Sequence, residues 1–283
     1  MDRSFDREDR TELAKPDRAI LGKGRPASDI ETAVRMRPDR EGRCRLGQSE
    51  LETLADLGRF RVIRSTELAQ HRYGGNEIRM RHELRSLALE KLIQRKTVWT
   101  GQHRDEETFW TLTQEGKRLL KRESDLPSRQ ALYSGFVKPA ELRHDAAIYA
   151  MFQKEAERLG KDGARIERVV LDFELKKKAY SPLAKAKALP PLEYQKRQAE
   201  IAQENGLKVV NGHIVLPDLR IEYETDDGRS EHVDLELATS SYHGSHASEK
   251  AAAGLRMYAS SDTAGRLSRA LDERGVIAEI FSL

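Results

Sequence analysis

A single cysteine, Cys44, stands in the whole chain, so neither an intramolecular disulfide nor a multi-cysteine zinc site can form. Aromatic residues make up only 6% and hydrophobic ones 38%, whereas typical globular chains hold ~45–50% apolar residues. Part of the chain is therefore expected to lie outside any packed core. No apolar run approaches the ~18 residues of a membrane-spanning helix, so no membrane partner is expected. The first residues carry acids where a secretory signal would carry an apolar stretch, which points to a cytoplasmic protein. An excess of one charge is missing too: 50 Lys+Arg against 47 Asp+Glu leave a net charge of +3. Such a balance permits nucleic-acid binding without arguing for it, and the placement of the charges decides.

What the chain does hold is charge, unevenly spread. Residues 1–47 are dense in both signs, broken by Pro16, Gly22, Gly24, Pro26 and Pro38, and show no sustained apolar period. They read as a disordered charged tail. From Gln48 the pattern turns regular. Leu51, Leu54, Ala55 and Leu57 recur at helical spacing behind Ser49, a shorter helix follows Ser65, and Asn76 opens a third helix with Met80, Leu84, Leu87 and Ala88 inward. Alternating residues 92–100 and 108–112 then predict a β-hairpin, and Thr113 caps a closing helix.

Three helices, a hairpin and a closing helix within residues 48–124 is the order of a winged helix-turn-helix. Leu112-Thr113-Gln114-Glu115-Gly116-Lys117-Arg118-Leu119-Leu120 resembles the segment that ends the wing in many such domains. Off the apolar stripe of the third helix lie Arg79, His82, Arg85 and Ser86. On a recognition helix, long donors of this kind reach base edges or phosphates in the major groove. Arg95, Lys96 and Arg104 near the hairpin tip suit a wing against the backbone. The expected partner is double-stranded DNA, and a homodimer on a palindromic site is open. A solvated helix face, or a winged helix that contacts protein, is the competing reading.

Residues 125–139 read as a linker and 140–283 as a second unit: helix 140–159, strand 166–175, a basic Pro-containing stretch 176–206 with one helix, strands 212–223 and 231–238, helices 248–259 and 263–274, and strand 276–281. Strands 212–223 and 231–238 carry the chemistry. A three-residue loop, Asp226-Asp227-Gly228, pairs Leu219 with Leu235 and Ile221 with Val233 and keeps one face apolar. On the other face Asp218 then stands opposite Glu236, and Arg220 opposite Asp234. Facing carboxylates repel unless a cation lies between them, and hard oxygen ligands suit Mg²⁺ or Mn²⁺. Alternatively, Arg220 neutralises Asp234 and the face is merely solvated. Asp172 or Glu174, taken as strand residues, would add a further acid. His144-Asp145 is expected to tie its helix to this unit, and His243 and His246 flank a Ser/Gly-rich loop beside the acids.

The Pro217-Asp218 pair followed by Asp234-Leu235-Glu236 resembles the PD-(D/E)xK nuclease superfamily. Glu236 stands where that motif usually has lysine, with Lys250 on the next helix as a migrated substitute. That resemblance implies metal ligation by Asp218, Asp234 and Glu236, with Lys250 assisting at the phosphate. Over residues 50–260 the order of motifs is similar to the replication-relaxation family of plasmid and mobile-element proteins: Trp110 to Gly116, Leu142 to Tyr149, Leu216 to Ile221, Val233 to Leu237, then a helix with Lys250. The expectation is an α+β chain, an N-terminal winged helix-turn-helix followed by an α/β restriction-endonuclease-like domain. It implies a role in plasmid or mobile-element replication, relaxation or transfer. The alternative is a non-catalytic dimeric transcriptional regulator whose nuclease-like domain is a scaffold.

Overall fold

The computed structural model describes residues 46–100, 105–139 and 141–283. The chain divides into residues 1–47 and a compact unit, residues 48–283. The expected tail, apart from its last two residues, and Arg104 lie outside the described residues.

Helix α1 (Gln48–Arg59) buries Leu54, Ala55 and Leu57. Ser49 lies inside this helix rather than before it, and its hydroxyl donates to Glu83. Strand β1 (Ile63–Arg64) leads into α2 (Ser65–Tyr73), which closes on left-handed Gly74. Helix α3 (Glu77–Leu89) opens as its sequence predicts: the Asn76 side chain accepts from the Arg79 amide at 3.0 Å, and Met80, Leu84 and Leu87 are buried. Strands β2 (Ile93–Thr100) and β3 (Asp105–Leu112) form the antiparallel hairpin, with β1 on the far side of β3. Thr113 caps α4 (Gln114–Glu123) by accepting from the Gly116 amide at 3.0 Å. A Cβ at Gly116 would sit 2.1 Å from the Leu92 carbonyl oxygen, so only glycine lets α4 start against the hairpin.

Residues 125–139 carry no regular element yet are anchored on both sides. Gln130 is buried and bonds both the amide and the carbonyl of Val169, while the Tyr133 amide donates to Gly58. Helix α5 (Leu142–Lys161) then packs on the first elements. Tyr149 meets Phe60 edge-on at 5.1 Å and donates to Asp56 at 3.1 Å, and the Phe152 ring packs tilted against Phe60 at 4.7 Å.

Strand β4 (Arg165–Leu171) ends four residues before its expected limit, because helix α6 (Asp172–Ala186) begins there. Asp172 and Glu174 are therefore residues of a helical first turn. The three lysines 176–178 and Pro182 mask an inner row of Leu175, Ala179 and Leu183, spaced four apart. Helix α7 (Pro191–Glu204) follows, then the small hairpin β5 (Lys208–Val210) and β6 (His213–Val215). The single strand expected over 212–223 is split at Leu216-Pro217, and β7 (Leu219–Glu224) starts afresh. After β8 (Ser230–Ala238), the helix expected over 248–259 is two elements. Helix α8 (Gly244–Ala253) stops at left-handed Gly254, and the rest is strand β9 (Arg256–Ala259). Helix α9 (Ser261–Asp272) and strand β10 (Ile280–Ser282) complete the chain.

The sheet order is β10-β9-β8-β7-β4, antiparallel across β8-β7-β4 and parallel across β10-β9-β8. The chain is thus a mixed α+β protein. Helix α5 covers one face, where Arg256 and Tyr258 both reach buried Glu155. On the other face α6 and α7 cover one end and α8 and α9 the other.

Candidate functional site

The β7–β8 hairpin adopts the register that keeps its apolar face together: Leu219 pairs with Leu235, Arg220 with Asp234 and Ile221 with Val233. The turn closes as a three-residue loop, with Thr225 donating to the Arg229 carbonyl at 2.9 Å and Gly228 at φ 81°. Leu171 pairs with Leu219 and Leu219 with Leu235, so Asp172 and Asp218, each one residue outside its strand, fall in line with Glu236 of β8.

Asp218 is held by backbone. Its amide donates to the Leu235 carbonyl at 3.0 Å, and its Oδ2 accepts from the Leu237 amide at 2.9 Å. His144, at the start of α5, places Nε2 3.4 Å from Asp218 Oδ1. That partner holds the imidazole pKa above its ordinary value, against the effect of burial. His144 thus does tie its helix to the sheet, but through an acid of the candidate site. Glu236 is 4% exposed. Its Oε1 accepts from Tyr242 at 2.7 Å and faces Lys250 Nζ at 2.8 Å, while its buried Oε2 has no partner. Burial, and then the Asp218 charge, push the Glu236 pKa up to about 7 despite Lys250 and Tyr242. Lys250 Nζ also donates to the Leu216 carbonyl at 2.7 Å.

Asp234 stands apart from this group. Arg220 forks onto it, Nε to Oδ1 at 2.6 Å and Nη2 to Oδ2 at 2.8 Å, with its remaining donors on the Asn205 and Gly206 carbonyls. Both oxygens of Asp234 are spent on that fork. Of the four residues expected at the site, Asp218, Glu236 and Lys250 come together and Asp234 does not. Glu174 also turns away, to Arg168 and Tyr133. Asp172 remains close: its amide donates to the Asp218 carbonyl at 3.0 Å, and its carboxylate pairs with Lys176. No protein-family model matches the chain, and no curated protein does. Residues and geometry alone therefore carry the functional reading.

Two cavities meet at Asp172 and Asp218, and Glu236 lines neither. One, of about 340 Å³, is lined by Phe60, Arg61, His144, Asp145, Phe173 and others; the second, of about 270 Å³, by Tyr180, His213, Leu216, Glu249 and Lys250 among others. Asp172, Lys176 and Asp218 line both. Hard oxygen donors suited to a divalent cation are Asp218 and Glu236, the latter with an oxygen to spare. Among the described residues no three His, Cys, Asp or Glu side chains converge on one point. His243 and His246 place their rings 6.3 Å apart, beside Tyr242.

On the other candidate surface, Arg79, His82 and Arg85 are exposed along α3, with Ser86 half-buried among them. On β2, Arg95 is exposed and Lys96 half-buried, but their pairing with Trp110 and Phe109 sets both toward the base of the hairpin rather than near its tip, because the strands stay paired as far as Thr100 and Asp105. Residues that reading the sequence missed are Arg81, exposed beside Glu77, and the apolar Ile78, Leu89 and Trp99, which are exposed on the same elements. At the groove, Arg61, Phe173, Lys176 and Tyr242 escaped notice. Arg61 meets Phe173 across elements far apart in the chain, whereas Lys176 and Tyr242 reach acids only four and six residues away.

Proposed function

We propose that the protein is a DNA-binding protein in which residues 48–124 act as a winged helix-turn-helix and the sheet unit is a nuclease-like domain that cuts or nicks a phosphodiester backbone. The observation that carries this reading is Glu236. A buried carboxylate with one oxygen unpartnered, beside a second carboxylate and a lysine, is costly to a fold unless a ligand completes it. A Mg²⁺ or Mn²⁺ ion would be held by Asp218 and Glu236, not by Asp234, and would supply Lewis acidity toward a phosphate and its attacking water. Lys250 places positive charge at the same row. His144, poised on Asp218, holds a proton within reach of the cleft.

The exposed cations of α3, with Arg95 and Lys96 on the hairpin, suit docking on duplex DNA, α3 in the major groove and the hairpin along the backbone. The order of motifs is similar to that of replication-relaxation proteins of plasmids and mobile elements, and that similarity supports a cytoplasmic role in replication, relaxation or transfer. A second reading rests on a different observation. Arg220 already satisfies Asp234, and Lys250 already neutralises half of Glu236. A sheet so paired would serve a dimeric transcriptional regulator as a scaffold.

Nicking of supercoiled plasmid separates the two. Wild type in Mg²⁺ or Mn²⁺ is expected to nick, and Asp218→Asn and Glu236→Gln to lose nicking while still binding duplex. Duplex binding that survives EDTA, with no nicking in either metal, would leave the regulator.

A further inference from the structure

Helix α6 carries a partly exposed face on which Phe173 meets Tyr133 edge-on, ring centres 6.4 Å apart, and Lys176 pairs with Asp172. Phe173, Lys176, Lys177 and Tyr180 follow one another at i, i+3, i+4 and i+7, so all four lie on one side of the helix. The buried row of Leu175, Ala179 and Leu183 lies about a third of a turn away around the helix. Phe173 is 58% and Tyr180 49% exposed, unusual exposure for rings in a chain so poor in aromatics. Between Asp172 and Lys187 there are five lysines against two carboxylates. Phe173 opens onto one of the two cavities and Tyr180 onto the other, while Lys176 stands between them at the point where the cavities meet beside Asp218.

Arg61 adds to the first ring. Its guanidinium lies 5.5 Å from the Phe173 ring centre and pairs with Asp145 at 2.9 Å. Arg61 takes φ 61°, a left-handed conformation that branched and long side chains rarely adopt, and Thr111 fixes its carbonyl. The backbone is thus bent so that this cation faces the cleft.

We infer that the α6 face binds an unpaired DNA strand, with one base stacked on Phe173, another on Tyr180, and the intervening backbone over Lys176 and Lys177. Alternating rings and cations along a groove are the arrangement that holds single strands without reading their sequence. Seven residues of helix separate the rings by about 10 Å, which leaves room for a nucleotide between them. Cavities of about 340 and 270 Å³ are of small-molecule size, too narrow for a double helix. The inference deepens the DNA-binding reading: duplex would dock on α3 and a locally opened strand would lie along α6 toward Asp218.

Fluorescence anisotropy of the whole chain tests it, with labelled oligothymidylate in one arm and a duplex in the other, at several salt concentrations. Phe173→Ala and Tyr180→Ala are each expected to weaken oligothymidylate about 5- to 100-fold and to leave duplex affinity unchanged. Tyr180→Phe and Phe173→Trp, which keep a ring, should retain binding. Lys177→Gln should lower the salt slope for the single strand by about 0.7. Arg79→Ala with Arg85→Ala should do the reverse and weaken the duplex alone. Duplex binding without any hold on oligothymidylate overturns this inference and leaves the DNA-binding reading standing. Failure of both arms removes both. Equal binding by the ring-deleted variants, or displacement by polyglutamate at the same charge concentration, shows attraction by charge alone and overturns the stacking. A tighter hold on oligouridylate overturns the assignment to DNA.

Discussion

Glu83 and Glu236 are both buried acids, one in each half of the molecule, and they are satisfied to different degrees. Glu83 gathers α1, α2 and α3: Thr53 and Tyr73 donate to one oxygen at 2.8 and 2.7 Å, and Ser49 to the other at 2.8 Å. Both oxygens that burial strips of water find a hydroxyl. Glu236 has Tyr242 and Lys250 on one oxygen and nothing on the other. Glu155, fully buried under α5, resembles Glu83: Arg158 and Arg256 reach one oxygen and Tyr258 the other. A completed acid holds elements together, whereas an incomplete one is held by them. That contrast marks where the molecule keeps a place for something else.

The contrast can be broken by substitution. Glu155→Ala strands two arginines and a tyrosine and should destabilise the protein by about 3 kcal/mol or more, read by chemical denaturation. Glu83→Ala removes the acceptor of three hydroxyls, of which Thr53 and Tyr73 can still bond each other, and should cost about 2 kcal/mol, loosening α3 against α1. Glu236→Gln, in the same assay, is expected to be neutral or to stabilise by up to about 1 kcal/mol while abolishing nicking. If Glu236→Gln is as damaging as Glu83→Ala, the two acids are alike and the site is structural.

A smaller effect sharpens the same point. Glu236 and His144 bind protons more tightly in the fold than in the unfolded chain, so both add stability at low pH and lose it as pH rises. The Glu236 contribution is complete below 4.5 and gone above about 7. That of His144 is complete below its ordinary 6.5 and fades at higher pH. Denaturation across this range should show stability falling with pH. Glu236→Gln should remove the lower part of the slope and His144→Gln the upper part.

Much of this was legible in the sequence where local rules act alone. The Asn76 and Thr113 caps follow from side-chain chemistry, and the β7–β8 register follows from an apolar alternation that only one loop length preserves. That register correctly set Arg220 opposite Asp234, while Asp218 lies one residue before the first pair, Leu219 with Leu235. Helix α6 was hidden because its lysine run and Pro182 look like a loop, although the four-residue spacing of Leu175, Ala179 and Leu183 was there to read. Glu83 sits between Met80 and Leu87 on the inward arc of α3, and its burial was overlooked because acids are rarely inside. The His144–Asp218 contact joins residues on separate elements, brought together only by the packing of α5 on the sheet. Which oxygen of Glu236 goes unpartnered depends on Tyr242 and Lys250 arriving from one side.

The aromatic junction of Phe60, Tyr149 and Phe152, with Asp56 bonded to Tyr149, has one more consequence. It packs the elements before residue 124 directly against those after residue 141. If α3 docks on DNA and the groove cuts, as proposed, the distance between them would be set by that packed core as by a ruler, and cuts would fall at a constant offset from the docked sequence.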